Sequence, residues 1–266
     1  MSLLSPNKRI VVGFAPERLS ALYLGGLLRP RLLDRHAVPL AGNDPSRWAE
    51  PLRALTALLD EPVWHGQEIG VILSSHYVRY IVVPAGRNLT QAECLALAKV
   101  LFHETYGDLA DNWEIRVSPP GMGLATIASG VPRDLLADLD KVCAKRGRLT
   151  SVRPSLMPVF NRARRLMGKA AGYLAVVEAG RIVLVSVANR QWKSADSRAG
   201  DGTTLPHLLQ EEGELHGRQP GGILWLSDLT ASAKLPTGVA WSHQRIDPPR
   251  LAGMDDIPNL ASWGLP

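Results

Sequence analysis

Two short turns hold the residue types that could do chemistry in this sequence. The first runs from Gly13 to Arg18, and the second is Glu178-Ala179-Gly180-Arg181. A turn that presents backbone N–H groups and a carboxylate can hold a phosphate and its Mg²⁺ ion, and small residues let the backbone approach closely. The second turn fits either a phosphate site or an ordinary tight hairpin with Gly180 at positive φ, and we favour the hairpin.

Two further groups contain reactive side chains at close spacing. His207 and Glu211 are four residues apart on a predicted helix, which places two possible metal ligands on one face, but no third ligand follows at a fixed spacing. Ser74-Ser75-His76 contains hydroxyls and an imidazole, yet neighbouring residues of a strand point to opposite faces. We interpret the first group as a solvated helix and the second as a turn, and we expect neither a metal site nor a catalytic residue.

The elements around the two turns follow the same order. Near the N-terminus, strands are predicted at 10–12, 19–24 and 31–38, followed by Ala41-Gly42-Asn43-Asp44 and a helix at 46–59. The same plan is repeated later in the chain, with strands at 173–177, 182–188 and 192–199, then Ala199-Gly200-Asp201-Gly202 and a helix after Thr203. The near-repeat predicts two lobes of one design, although few residues are identical between the copies.

The remaining elements complete an α/β protein with mixed sheets. The simplest interpretation of 68–73 and 77–83 is a strand pair around a polar turn. Thr90 with Glu93 forms a capping box that opens a helix at 90–106. A second strand pair is predicted at 113–117 and 124–128. The later predictions are strands at 149–152, 223–227 and 239–246, with helices at 132–145 and 155–167. We expect an N-terminal lobe at 1–168 with an inserted subdomain at about 76–130, a reduced C-terminal lobe at 169–250, and a tail at 251–266 that lies along the surface or frays.

Composition excludes several classes of protein. With 266 residues, 45% of them hydrophobic, the chain is long enough for two lobes with cores and is not disordered. Cys94 and Cys143 lie on the apolar sides of predicted helices and outside any Cys-x-x-Cys pair, which argues against a zinc site or a disulfide framework and fits a reducing compartment. We find no secretory signal and no stretch of about 20 apolar residues, so we expect a cytosolic protein that meets a membrane through a partner.

The net charge of +5 permits contact with an anionic partner without requiring one. Its densest group is Arg162, Arg164, Arg165 and Lys169, near the end of a predicted helix. Two interpretations of this group remain open: solvated side chains that complement the helix dipole, or a surface that binds anionic lipid. We favour the first. A nucleic-acid-binding module with an RNase H-like core would need paired inward carboxylates on its central strands. The segments at 10–24 and 173–187 contain Glu17, in the first turn, and Glu178, and we find no such pair in them.

The order of elements resembles a known family. It is similar to the actin-like fold, and within it to the pilus assembly protein PilM, the cytoplasmic part of the type II secretion protein GspL, and MshI. The resemblance covers nearly the whole chain as an order of elements, and it includes Arg79-Tyr80-Ile81-Val82-Val83-Pro84-Ala85-Gly86 before Leu89-Thr90. That segment is similar to an Arg-(apolar)-x-x-Pro-Ala/Gly pattern that recurs in the family before a helix opening in Thr or Ser.

The resemblance implies a cytosolic scaffold. PilM-type proteins bind ATP between their lobes and dock a short peptide of a membrane-anchored partner, whereas GspL-type proteins dock the assembly ATPase. The expected partners are therefore a membrane-anchored pilus or secretion platform protein and possibly the assembly ATPase, with no nucleic acid.

The same resemblance predicts that nucleotide binding is lost. Active members present Asp-x-Gly and small hydroxyl residues in both hairpin turns, but Gly13 and Ala15 stand at the Asp and Gly positions of the first, followed by Pro16 and Glu17. The second keeps Glu178 and Gly180, but bulky Arg181 follows. We expect no cofactor; if ATP and Mg²⁺ bind, the candidate residues are Gly13, Ala15, Glu178, Gly180 and Arg181. The alternative is an active actin-like ATPase or sugar-kinase-like enzyme in which Arg181 replaces backbone donors.

Overall fold

The structure is a computed structural model that describes residues 8–26, 30–42, 48–86, 89–119, 124–189, 191–215, 222–235, 241–251, 254 and 259–265. Its strands are β1 (Arg9–Phe14), β2 (Arg18–Gly25), β3 (Arg31–Pro39), β4 (Glu68–Leu73), β5 (Arg79–Val83), β6 (Trp113–Val117), β7 (Thr126–Pro132), β8 (Arg148–Pro154), β9 (Gly172–Glu178), β10 (Arg181–Ala188), β11 (Gln191–Ala199), β12 (Gly222–Asp228) and β13 (Trp241–Arg245). Its helices are α1 (Ala49–Asp60), α2 (Gln91–Tyr106), α3 (Arg133–Ala144), α4 (Leu156–Met167) and α5 (Leu205–Leu215). Three short 3₁₀ helices lie at Pro62–Trp64, Gly107–Asn112 and Leu260–Gly264.

The chain divides into two compact units. The first contains Met1–Tyr77, Arg133–Pro158 and Pro248–Pro266, and the second contains Val78–Pro132 and Val159–Asp247. The inserted subdomain expected at about 76–130 thus groups with the second unit, and the chain changes units after residue 158, ten residues before the boundary we expected.

The first unit is built on a five-stranded sheet of order β3-β2-β1-β4-β8. β1, β2 and β3 form an antiparallel meander, while β4 and β8 run parallel to β1. α1 packs against β2, α3 packs against β8, and the two helices contact each other. Leu55 and Leu58 of α1 and Leu139 of α3 are buried. Parallel crossovers bury both faces of a strand, which accounts for the continuous apolar runs of β1 and β4.

The second unit contains a sheet of the same order, β11-β10-β9-β12-β13. It again consists of an antiparallel meander followed by two parallel strands. Leu205 and Leu209 of α5 are buried against Tyr173, Ala175 and other residues of this sheet. The two equivalent sheets confirm the duplicated plan that the near-repeat predicted.

A three-stranded antiparallel sheet of order β5-β7-β6 lies in the second unit and is covered by α2. Phe102 of α2 is fully buried, with Tyr106 and Trp113 packed around it. The simplest prediction, a strand pair formed by β4 and β5 around a polar turn, is wrong because these strands belong to different sheets. The predicted pairing of β6 with β7 is confirmed.

The tail prediction is also wrong for the described part. Leu260–Gly264 forms a 3₁₀ helix whose residues are all buried, and it packs on β1, β2 and β4. Trp263 is 2% exposed and Leu265 is 7% exposed. The burial of these side chains holds the segment on the first sheet rather than in solvent.

The helices of the described ranges include none that is both long and apolar enough to cross a membrane.

Candidate functional site

The first predicted turn connects β1 to β2 and is tightly closed. Ala15 N–H donates to the carbonyl of Arg18 at 3.3 Å, and Ala15 and Pro16 are buried. The carbonyl of Glu17 accepts a bond of 2.9 Å from Leu40 N–H beyond β3. Pro16 has no backbone N–H that could bind a phosphate. The two backbone bonds named above join this turn to the strands of the meander.

Gly13 lies next to the C-terminal 3₁₀ helix. It pairs with Ser20 across the β1–β2 ladder, and a methyl group at Gly13 would lie 2.5 Å from the backbone nitrogen of Ala261 and 2.5 Å from Ser20 Oγ. Ser20 Oγ accepts a hydrogen bond of 3.4 Å from Ala261 N–H. The close approach that glycine permits at this position is therefore used by the chain's own backbone.

Local bonds hold the C-terminal helix in that place. Asn259 caps it, because its Oδ1 accepts from the N–H and hydroxyl of Ser262, both at 3.0 Å. The carbonyl of Gly264 accepts from Arg153 of β8 at 3.4 Å. Burial lowers the pKa of Arg153, and the nearby charge of Arg9 lowers it further. The sequence analysis missed this element, although Leu260, Trp263 and Leu265 form an apolar group that could have signalled it.

The second predicted turn connects β9 to β10 through Ala179 and Gly180. Gly180 has φ of 71°, as predicted for a tight hairpin, and its carbonyl accepts from Gly200 N–H at 3.2 Å. Glu178 is 2% exposed, so its carboxylate is buried within the second unit. The turn is thus tied to the end of β11, where the chain leaves the sheet.

Arg181 lies half-buried along β11. Its Nη1 donates to the carbonyl of Ser197 at 3.5 Å. Burial lowers the pKa of Arg181, the charge of Arg79 lowers it further, and the carboxylate of Glu178 opposes both. Since an arginine stays charged despite such shifts, Arg181 places a bulky cation where small hydroxyl residues would be needed to surround a phosphate.

The other carboxylates near this turn have structural roles. Asp201 accepts from the N–H and hydroxyl of Thr203, and these bonds lower the pKa of its exposed carboxyl. Asp228 accepts from the N–H groups of Thr230 and Ala233, both at 2.8 Å. The loop after β12 then returns to the end of β11, because Lys234 N–H donates to the carbonyl of Gly202 at 2.8 Å.

The two other groups of reactive side chains make local contacts, and Ser74 also adjoins the first turn, because its N–H donates to the carbonyl of Phe14 at 2.9 Å. His207 and Glu211 form an exposed pair at 3.3 Å within α5. In Ser74-Ser75-His76, the N–H of His76 donates to Ser74 Oγ at 3.2 Å, as expected for a turn. Ser75 Oγ contacts Ser155 Oγ at 2.9 Å.

A cluster that the sequence analysis missed contains His103, Asp108 and Asp111. Their possible ligand atoms lie within 4.8 Å of one another, and all three side chains are exposed. His103 and Asp111 are 3.5 Å apart, which is an ordinary surface pair when the imidazole is protonated. The spacing of these residues around the end of α2 gives no periodic signal in the sequence.

Comparison with known proteins gives structural matches only. No protein-family model matches the chain. No curated protein matches its sequence. A Bacteroides thetaiotaomicron protein with an actin-like ATPase fold and unknown function has a TM-score of 0.58 and 12% identity, over 84% of this chain and 82% of that one. The protein has an actin-like fold.

Two further solved structures are similar to the chain. One is the cytoplasmic domain of EpsL, an inner-membrane component of the type II secretion system of Vibrio cholerae, with a TM-score of 0.57 and 11% identity over 96% of this chain and 92% of that one. The other is the PilM–PilN type IV pilus biogenesis complex, with a TM-score of 0.54 and 14% identity over 77% of this chain and 66% of that one. At these identities the matches confirm the actin-like fold that the order of elements predicted.

Proposed function

We propose that this protein is a non-catalytic scaffold of a type IV pilus or type II secretion inner-membrane platform. It links membrane-anchored components of the platform to the assembly machinery from the cytoplasmic side. Its partners are a membrane-anchored platform protein and possibly the assembly ATPase.

One observation carries the non-catalytic part of the proposal. The position next to Gly13, where an actin-like nucleotide site needs an open backbone, is filled by the backbone of Ala261. Pro16 removes a donor from the same turn, and Arg181 places a large cation directly after the second turn. Both turns therefore lack the small, open backbone that holds phosphates.

The fold supports the assembly part of the proposal. The match to the EpsL domain extends over 92% of that domain, and EpsL is a component of a secretion system. In another similar structure, PilM is in complex with PilN. A chain that keeps this fold without an open phosphate turn retains surfaces for partners and not a catalytic centre.

The experiment has a nucleotide arm and a partner arm. In the nucleotide arm, isothermal titration of the purified chain with Mg-ATP should show no binding tighter than about 1 mM, and phosphate release should equal that of buffer. Micromolar binding with turnover would overturn the scaffold and favour the ATPase or sugar-kinase-like alternative.

In the partner arm, the tagged chain is expressed in its native host and captured from detergent-solubilised membranes. The expected result is enrichment of an inner-membrane protein encoded with pilus or secretion genes. Capture that yields no such protein, with the tagged chain folded and at its natural level, would contradict the assembly role.

A further inference from the structure

The positive charge of this protein comes from one stretch of its sequence. Residues 141–177 contain nine arginines and lysines and no aspartate or glutamate. The other 229 residues contain 21 basic and 25 acidic side chains, so they are negative by themselves. A separation of this size permits contact with an anionic partner, and the structure shows which of these cations have carboxylate partners within the chain.

The last four of these cations form what we call the basic surface: Arg162, Arg164, Arg165 and Lys169. Arg162, Arg164 and Arg165 lie on the last two turns of α4, Lys169 follows directly, and all four side chains are exposed. Arg162 and Arg165 share one helix face with Leu166, at i, i+3 and i+4. The opposite side of α4 is buried through Val159, Ala163 and Met167, which fixes the orientation of the basic surface.

Among the described residues, the cations of the basic surface differ from other arginines in having no carboxylate partner. Arg146 pairs with Asp60 at 3.1 Å, and Arg198 pairs with Glu211 at 2.9 Å. Within the described ranges, none of the four cations of the basic surface lies within ion-pair distance of a carboxylate. No carboxylate of the described ranges neutralises their charge.

An apolar side chain accompanies these charges. Leu166 is 51% exposed and shares its helix face with Arg162 and Arg165. Cations next to an exposed leucine match the headgroup region of a bilayer, where the charges meet lipid phosphates and the leucine reaches the acyl boundary. A nucleic-acid backbone would use the cations but not the leucine.

We propose that the basic surface binds the anionic face of a lipid bilayer directly. A basic residue held near an anionic leaflet contributes about fivefold in affinity, so four of them give weak, reversible binding. A protein partner anchored in the same membrane would raise the effective concentration of this surface at the bilayer. The inference goes beyond the proposed function and is independent of it, since lipid binding is measured without any partner.

The first test is co-sedimentation of the full chain with phosphatidylcholine vesicles, with and without phosphatidylglycerol. We expect binding only to the anionic vesicles, and weaker binding at high salt. The triple variant R162E/R165E/K169E should lose at least tenfold in binding. The matched variant R53E/K99E/K234E has the same change in charge at exposed positions elsewhere and should bind like the parent. Equal loss in both variants, or no binding by the parent, overturns the proposal.

The second test places a probe at the surface without changing its charge. Both native thiols, Cys94 and Cys143, are buried, so an environment-sensitive dye attached to Leu166→Cys labels one site. Its emission should shift to the blue with anionic vesicles, whereas a dye at Leu109→Cys, which is 68% exposed, should not respond. An unchanged emission at position 166, or a response to duplex DNA but not to vesicles, contradicts the proposal.

Discussion

Ser20 and Ala261 are 241 residues apart in sequence and joined by a hydrogen bond of 3.4 Å from the N–H of Ala261 to the hydroxyl oxygen of Ser20. This bond lies beside Gly13, which pairs with Ser20 in the first hairpin. The C-terminal 3₁₀ helix thus packs directly against Gly13 of the first hairpin.

Gly13→Ala should destabilise the first unit. The added methyl group would lie 2.5 Å from the backbone nitrogen of Ala261, and backbone cannot move aside as a flexible side chain can. We expect a loss of about 1–3 kcal/mol in the free energy of unfolding, measured by urea denaturation. Gly70→Ala in neighbouring β4 is the control, because the nearest atom to its methyl group would be the side-chain Oγ of Ser151, at 3.2 Å. Equal losses in the two variants would count against close packing at Gly13.

Trp263→Ala should loosen the C-terminal 3₁₀ helix. The indole is 2% exposed, and removal of a buried tryptophan costs about 3–5 kcal/mol. Limited proteolysis should then cleave the last residues faster than in the parent protein. Leu109→Ala, at a site that is 68% exposed, should change stability by less than about 0.5 kcal/mol. If Trp263→Ala unfolds like the parent, the helix contributes nothing to the fold.

Cys143 should be inert in the folded protein. Burial raises the pKa of its thiol to about 12, and the charge of Asp140 acts in the same direction. Thiol reagents at pH 8 should label neither Cys143 nor buried Cys94 until urea is added. Rapid labelling of native protein would show that the helices carrying them open readily.

The raised pKa also predicts a pH dependence. Above the unfolded pKa of about 9, the unfolded thiol loses its proton while the folded thiol keeps it, so stability falls as the pH rises toward 12. This contribution is fully present below pH 9. The pH dependence of unfolding should be shallower for Cys143→Ala than for the parent between pH 9 and 11. Identical slopes would contradict the raised pKa.

Thr90→Ala should weaken α2 at its first turn. Thr90 Oγ1 accepts from Glu93 N–H at 3.2 Å, and Glu93 Oε2 accepts from Thr90 N–H at 2.8 Å. Loss of this cap should cost about 1 kcal/mol in the free energy of unfolding. Thr105→Ala removes a hydroxyl that bonds back to Leu101 within the same helix and should cost less. A larger loss at position 105 than at position 90 would contradict the capping box.

Much of the fold could be predicted from local patterns. The apolar runs of β1, β9 and β10 and the capping box at Thr90 and Glu93 are short-range signals, and the structure confirms each. Their repetition in order was enough to predict two equivalent sheets, because each meander needs only near neighbours to pair. Gly180 was likewise predictable, since a two-residue hairpin turn favours glycine at positive φ.

The errors concern contacts between distant parts of the chain. Nothing in the alternation of β4 or β5 says which strand each will pair with, so their separation into different sheets had no local signal. The C-terminal helix is only five residues long, too short for a helical period to appear. Gly13 could be recognised as a departure from a phosphate turn, but the reason for the glycine is Ala261, at the other end of the sequence.

The most direct test of the central claim is a titration of isotope-labelled protein with Mg-ATP, followed through the backbone amide signals of Gly13, Ala15, Gly180 and Arg181. Because Ala261 occupies the space beside Gly13 and Arg181 is bonded along β11, we predict no saturable shift at these four amides. Saturable shifts at both Gly13 and Gly180 would show that the two turns hold a nucleotide and would contradict the scaffold.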